Sequence, residues 1–214
     1  MHDNKLFIPI LLGTVRKERK SEHVARLLFS RLSEHPEIET YLFDPRDMDL
    51  PMNDEGQKLK FKNPEYRNAI VRADGLIIVS PEYNHSFPGS LKRVLDIVLT
   101  EYTHRAVGLV GVSAGGFGGT RVIEQLVNVV RELGLVVTSS DLNFSKVGDI
   151  FNEDGKLQDD SVHERIDQFV TELVWMSKVL RWGRENLPSR FDKRLEELQT
   201  EWEEKIKETA EGII

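Results

Sequence analysis

The sequence contains no cysteine. That removes disulfides, thiolate nucleophiles, iron–sulfur clusters and cysteine-type zinc sites from consideration. Long apolar runs are also missing. No window approaches the roughly 18 uncharged apolar residues that a membrane-spanning helix needs. The opening Met1-His2-Asp3-Asn4-Lys5 leads straight into a short apolar run broken by Pro9, which is not the pattern of a signal peptide, so a cytoplasmic protein with no membrane partner is expected. Positive charge is in deficit: 29 Lys and Arg stand against 36 Asp and Glu, for a net charge of −7. A basic face for phosphate backbones is therefore not expected, nor is a nucleic-acid partner. The six histidines are scattered, with no His-x-x-x-His or His-x-His pair, so no metal site is indicated. What remains is an ordinary globular balance, 39% hydrophobic and 30% charged over 214 residues, enough for one sizeable core.

Five short apolar runs, at 6–12, 38–43, 76–80, 106–112 and 135–138, are rich in Ile, Val and Leu, as strands buried on both faces should be. Between them lie stripes at helical spacing. Val24, Leu27, Leu28 and Leu32 form the first. Tyr66, Ala69, Ile70 and Ala73 form the second, entered through Asn63-Pro64. Leu91, Val94, Leu95, Val98 and Leu99 form the third, with Pro88 near its first turn, and Ile123, Leu126, Val127 and Val130 the fourth. The fifth runs from Ile166 to Leu180, with Ser161-Val162-His163-Glu164 reading as its capping box. This alternation predicts an α/β fold, a doubly wound parallel sheet with helices on both faces. Pro9 removes a ladder donor, so an irregularity is expected in the first strand.

Residues 183–214 exceed what five such units need. Gly183-Arg184-Glu185-Asn186-Leu187-Pro188 reads as a linker, dividing a domain at 1–182 from a C-terminal helical extension at 183–214. Leu195, Leu198, Trp202 and Ile206 then recur at helical spacing. A helix packed on its own domain and a helix reaching a partner subunit both fit that pattern.

Ligands in open parallel sheets bind beyond the carboxyl ends of the strands, so the loops there carry the functional reading. After the first strand, Gly13-Thr14-Val15-Arg16 and then Ser21 offer hydroxyls, a guanidinium and a helix start suited to a phosphate, although a solvated basic loop would look the same. After the third strand, Pro81-Glu82-Tyr83-Asn84-His85-Ser86-Phe87-Pro88-Gly89 is a proline-stiffened loop with aromatic residues, suited to a flat heterocycle or simply a fixed turn. After the fourth, Ser113-Ala114-Gly115-Gly116 lies in a stretch with five glycines between Gly111 and Gly119, which permits close approach of backbone N–H groups.

Together, Gly13-Thr14-Val15-Arg16 with Ser21, Pro81-Glu82-Tyr83-Asn84 followed by Pro88-Gly89, and the glycine loop ending Gly118-Gly119-Thr120-Arg121 resemble the NADPH-dependent FMN reductase family, a flavodoxin-like branch that includes quinone, azo-dye and chromate reductases. The resemblance spans roughly residues 5–180. It implies a five-stranded sheet of order 2-1-3-4-5. Thr14, Arg16 and Ser21 would hold the FMN phosphate. Pro81, Glu82, Tyr83 and Asn84 would run along the isoalloxazine, and Ser113, Gly115 and Gly116 would sit near its pyrimidine end. NADPH or NADH would donate hydride to flavin N5, and a small electron acceptor, a quinone or azo compound, would receive it. A homodimer or homotetramer is implied as well. No residue is a required acid or base; His85 and His104 are candidate proton donors, and Arg19 and Lys20 are candidate contacts for the extra phosphate of NADPH.

Two alternatives stand beside this. Gly111-Val112-Ser113-Ala114-Gly115 matches a nucleophile elbow, with Asp141 or Asp149 and His163 following in hydrolase order. A non-enzymatic flavin-binding electron carrier is the other.

Overall fold

The computed structural model describes residues 5–51, 53, 55–152 and 155–211. The start of the chain and the last three residues of the extension lie outside the described residues. The first strand is split where Pro9 falls, into β1 (Leu6–Phe7) and β2 (Ile10–Leu12). The second is likewise two pieces, β3 (Ile38–Glu39) and β4 (Leu42–Phe43). β5 (Gly75–Pro81) and β6 (Ala106–Val112) are continuous and buried at every position, as central strands covered on both faces must be. The fifth strand extends beyond the expected 135–138, as β7 (Val136–Val137) and β8 (Leu142–Phe144), both parallel to β6. Across the sheet the order is β4-β2-β5-β6-β7, all parallel. With the split strands joined, this is second, first, third, fourth, fifth. Pro9 costs only its own donor: its carbonyl still accepts from the N–H of Ile77 (2.9 Å), and Ile8 N–H bonds the carbonyl of Glu39 (2.9 Å).

Helices cover both faces. α1 (Ser21–Ser33) and α7 (Ser161–Asn186) seal one core, in which Val24, Leu28, Ile166 and Phe169 meet Ile10, Ile77 and Val110. The opposite core lies under α3 (Pro64–Arg72), α4 (Gly89–Leu95) and α5 (Thr120–Glu132), with Tyr66, Leu91 and Leu126 packed on Ile78 and Leu109. Short α2 (Leu59–Lys62) precedes α3, and short α6 (Val147–Ile150) follows β8.

Three local expectations change. α4 stops at Leu95, short of the expected stripe, and Leu99 is exposed. The capping box before α7 does not form: Ser161 is already the first helical residue, and its N–H bonds the Asp159 carboxylate (3.0 Å). The linker is shorter than read, because α7 runs unbroken to Asn186 and Gly183 lies inside it. Only five residues separate it from α8 (Asp192–Ala210). α8 packs on its own chain. Trp202 stacks on Phe61 (5.3 Å between ring centroids), and the Arg67 guanidinium lies 4.6 Å from the Trp202 ring.

Candidate functional site

The carboxyl ends of β2, β5 and β6 deliver their loops to one edge of the sheet. There they enclose a cleft of about 240 Å³, whose walls include Arg16, Ser21, Pro81, Glu82, Tyr83 and Ser113. Six of the ten residues singled out by sequence thus line one cavity. Thr14 does not line it. It is enclosed (1% exposed), and its hydroxyl bonds the Tyr83 hydroxyl (3.1 Å) and accepts from the Arg16 N–H (3.2 Å), tying the first loop to the second. Asn84 sits at the exposed tip of its turn, and Gly115 and Gly116 are exposed on the third loop outside the cleft wall.

The first loop is braced from behind. Arg19, almost wholly buried, donates to the Thr14 carbonyl and grips Asp44 through both terminal nitrogens, with Glu22 on its Nε (3.2 Å). Arg46 donates to the carbonyls of Val15 (3.2 Å) and Arg16. Guanidinium groups thus engage the carbonyls of three successive residues, which draws these acceptors away from any anion. Burial pushes the Asp44 carboxyl up, but the hydrogen bonds from Arg19 and the Arg46 N–H outweigh it and leave the group below its ordinary value. These bonds correct one expectation: Arg19 is a buried brace and not a free cation for a second phosphate. Lys20 is exposed.

Arg16 is exposed, with its guanidinium 3.6 Å from the centre of the Tyr83 ring. Ser21 opens α1. Its side chain is buried (2% exposed), and its Oγ has no hydrogen-bond partner among the described residues. A buried hydroxyl without a partner costs about 1–3 kcal/mol. Its place in the first turn of a 13-residue helix, on the wall of the cleft, is a donor position for an anion.

The second loop is a tight turn. Tyr83 and Ser86 exchange both backbone hydrogen bonds (2.9 and 3.0 Å), and Asn84 and His85 between them have positive φ (50° and 65°). Two left-handed residues inside a two-residue hairpin match a type I′ turn, for which Asn is suited and His tolerated. The turn aims Tyr83 back at Thr14. Glu82 is fixed by its own N–H to Val112 (2.9 Å) and by Arg121 on Oε1 (3.0 Å), while its buried Oε2 has no partner among the described residues.

The third loop returns tightly on β6. A Cβ at Gly119, where φ is +79°, would lie 2.5 Å from the Val112 nitrogen, so only glycine fits. At Gly115 and Gly116 an added Cβ would meet nothing. Their small size answers to no contact within the protein and leaves room for a ligand beside the loop.

His104 lies before β6, at the opposite end of the sheet, with its carbonyl bonded to Arg184 (2.7 Å). It is therefore no proton donor for this cleft. His85 is at the correct end but exposed. Residues missed by sequence are Asp44 and Arg46, which follow directly after β4 at the same carboxyl edge; that position was the available signal. Arg121, which ends the glycine-loop motif, holds the Glu82 carboxylate.

The sequence profile of NADPH-dependent FMN reductases matches residues 8–149. The chain belongs to this family. The chain is 28% identical to an FMN-dependent NADPH-azoreductase of Staphylococcus aureus over 179 residues, 77% of this chain and 92% of that one. It is 26% identical to an NADH:(hydroxy)cinnamate reductase subunit of Vibrio ruber over 165 residues, 72% and 81% of the two chains. Among solved structures, the NAD(P)H:(acceptor) oxidoreductase FerB of Paracoccus denitrificans superposes with a TM-score of 0.65 at 22% identity, covering 81% of this chain and 98% of that one. The fold is flavodoxin-like, as in these flavoenzymes. The family is one of enzymes that use FMN and a nicotinamide donor, which sets aside both the electron carrier and the serine hydrolase. The geometry gives the hydrolase no help. The Ser113 hydroxyl donates to the carbonyl of Gly115 (2.9 Å), and no hydrogen bond joins it to His163 among the described residues. No helix among the described residues is long and apolar enough to cross a membrane.

Proposed function

We propose that the cleft at the carboxyl ends of the strands holds FMN, and that the protein passes hydride from NADPH or NADH to a small organic acceptor such as a quinone or azo compound. The observation that carries the reading is the buried Ser21 hydroxyl at the start of α1, without a hydrogen-bond partner among the described residues, on the same cleft wall as the exposed Arg16 guanidinium that lies on the Tyr83 ring. In this reading the hydroxyl and backbone N–H of Ser21 at the start of α1 and the Arg16 guanidinium hold the phosphate, while the enclosed Thr14 keeps the loop in place. Pro81, Glu82, Tyr83 and Asn84 lie along the ring system, and the free Oε2 of Glu82 accepts from a ring or ribityl donor. Ser113, Gly115 and Gly116 border the pyrimidine end; Gly115 and Gly116 bring backbone N–H groups to it, while the Ser113 N–H is held by the Phe144 carbonyl (2.9 Å).

FMN, when bound, supplies the hydride chemistry. The chain supplies position and electrostatics. Backbone donors at residues 114–116 would offset negative charge on the ring system, and Arg16 with the α1 terminus would offset the phosphate dianion. No side chain need move a proton in the first half-reaction. The open space beside Gly115 and Gly116 would give donor and acceptor access to a bound ring in turn, with broad acceptor use as the consequence. The reading keeps a cytoplasmic homo-oligomer, with a single FMN-binding domain and α8 as an appended helix.

The test is the visible absorption spectrum of the purified protein with added FMN, followed by anaerobic NADPH. A bound flavin spectrum that bleaches on NADPH is expected. A protein that neither perturbs the FMN spectrum nor oxidises NADPH would overturn the reading.

A further inference from the structure

The last helix roofs a second cavity, away from the cleft. It measures about 610 Å³ and lies between α8, α3 and the segment leading into β6, with Arg67, Arg105, Glu101, Val71, Leu195 and Leu198 in its walls.

The charges buried beneath α8 do not balance. Lys60, Arg67 and Arg105 are 5%, 3% and 6% exposed, and Glu101, 1% exposed, is the carboxylate among them. Glu101 Oε1 forms long ion pairs with Lys60 (3.7 Å) and Arg67 (3.9 Å), beyond hydrogen-bond reach, and has no hydrogen-bond partner among the described residues. Arg67 donates to the protein through Nη1 alone, to Asn68 (3.3 Å) and to Gln199 of α8 (3.0 Å). Arg105 donates to two carbonyls, of Thr103 (2.9 Å) and Val71 (2.5 Å), and to no carboxylate among the described residues. Neither Nε–H finds an acceptor among the described residues. Burial pushes both guanidinium groups down, Arg105 to about 9 with Arg184 adding to the effect; Glu101 and Glu203 act the other way on Arg67, and Asp74 and Glu101 on Arg105, without overcoming burial. Buried cations in such surroundings call for an anion. The remaining wall is mixed: Val71 from α3 with Leu195 and Leu198 from α8 make its apolar part, and Glu196, Gln199 and Thr200 of α8 its polar part.

We propose that this cavity binds a small organic anion, a carboxylate held by Arg67 and Arg105 with an apolar body against Val71, Leu195 and Leu198. Such a ligand touches α3 and α8 together. Its binding would therefore clamp the last helix to the domain at a site separate from the flavin cleft.

The experiment is calorimetric titration of the FMN-saturated protein with sodium benzoate at constant ionic strength, with inorganic phosphate titrated in parallel. Saturable benzoate binding is expected, with a dissociation constant on the order of 1 mM or tighter. Leu195→Trp fills the apolar half of the cavity while leaving both arginines. It should weaken benzoate by about tenfold or more, a difference of roughly 1.4 kcal/mol, with NADPH turnover unchanged. Arg67→Gln should do the same, and if that variant does not fold, Leu195→Trp decides alone. Absence of saturable benzoate binding overturns the proposal. Benzoate binding that Leu195→Trp leaves intact overturns it too, since the ligand then sits elsewhere. Binding of phosphate without benzoate overturns the organic character of the ligand.

Discussion

The two ends of the same sheet hold carboxylates in opposite states, Asp74 at one and Glu82 at the other. At the amino ends, Asp74 is 3% exposed and fully engaged. It accepts from the Phe7 N–H (2.9 Å), from Arg181 through Nε (2.8 Å) and Nη2, and from Arg184 (2.7 Å). At the carboxyl ends, Ser21 Oγ and Glu82 Oε2 are buried with no partner among the described residues, and Gly115 and Gly116 border open space. Both ends place polar groups where water is scarce. The Asp74 cluster closes its hydrogen bonds within the protein, and the Ser21 and Glu82 oxygens leave theirs for something else to close. Satisfied buried charge marks a stability device; unsatisfied buried polarity at a loop edge marks a binding site.

Removing Asp74 should have the largest effect. Asp74→Ala leaves the Phe7 N–H without its partner and two half-buried arginines without a counter-charge, at a cost of about 3–5 kcal/mol. Since α7 is anchored to the sheet there, chemical denaturation should show a lower midpoint. FMN affinity of the folded fraction should stay within about twofold, because the cleft is at the other end. A loss of FMN affinity as large as the loss of stability would break the separation between the ends.

Gly119→Ala comes next and acts at the carboxyl end. The residue has φ of +79°, and the new Cβ meets the Val112 backbone at 2.5 Å. The third loop must shift off β6, at a cost of about 1–3 kcal/mol in stability. FMN affinity should fall along with it, measured by fluorescence titration. Gly116→Ala is the control: its Cβ meets nothing in the protein, so any loss there is a loss of ligand contact alone.

How much of this was legible beforehand follows the range of the interactions. The strand runs and helical stripes are local patterns, and they gave the layers and the strand alternation. Thr14, Ser21 and the Pro81–Asn84 motif were legible because strand ends place their loops on one edge whatever the details. The role of Arg19 was not, because its partner Asp44 is 25 residues away and nothing local reveals that pair. The continuity of α7 through Gly183 was hidden for a related reason. Glycine disfavours a helix interior by only about 1 kcal/mol, and Arg181 and Arg184 on either side are tied to Asp74 more than 100 residues earlier.

Arg16 and Ser21 sharpen the comparison further, because the two ends differ in what truncation should do. Arg16→Ala should weaken FMN by about 1–3 kcal/mol through lost charge-assisted bonds. Ser21→Ala should weaken it by about 1 kcal/mol, yet leave the FMN-free protein as stable as before or slightly more so, since a buried hydroxyl without a partner is removed. Thermal denaturation with and without FMN separates the two effects. Destabilisation of the FMN-free protein by Ser21→Ala would mean that the hydroxyl is satisfied within the protein.

The smallest effect concerns acid. Asp44 holds Arg19 behind the first loop. Burial raises its carboxyl, and the bonds from Arg19 and the Arg46 N–H more than offset that, so its folded value lies below the ordinary 3.8. Glu22, on the same arginine, is likewise held below 4.5: burial raises it, and the bonds from Arg26 and Arg19 prevail. A carboxyl with a depressed folded value contributes its full stabilisation above the unfolded value and loses it as pH falls through the folded one. Wild type should therefore exceed Asp44→Asn in stability by a constant margin, about 1–2 kcal/mol, at all pH values above about 4.5. The margin should shrink as pH drops below 3.8, as protonation of Asp44 makes the wild type resemble the variant. Denaturant midpoints for both proteins between about pH 6 and about pH 3 would trace it. A margin that does not change with pH would mean that Asp44 holds the loop by shape and its neutral hydrogen bonds, and that the charge on Arg19 is answered by Glu22 alone.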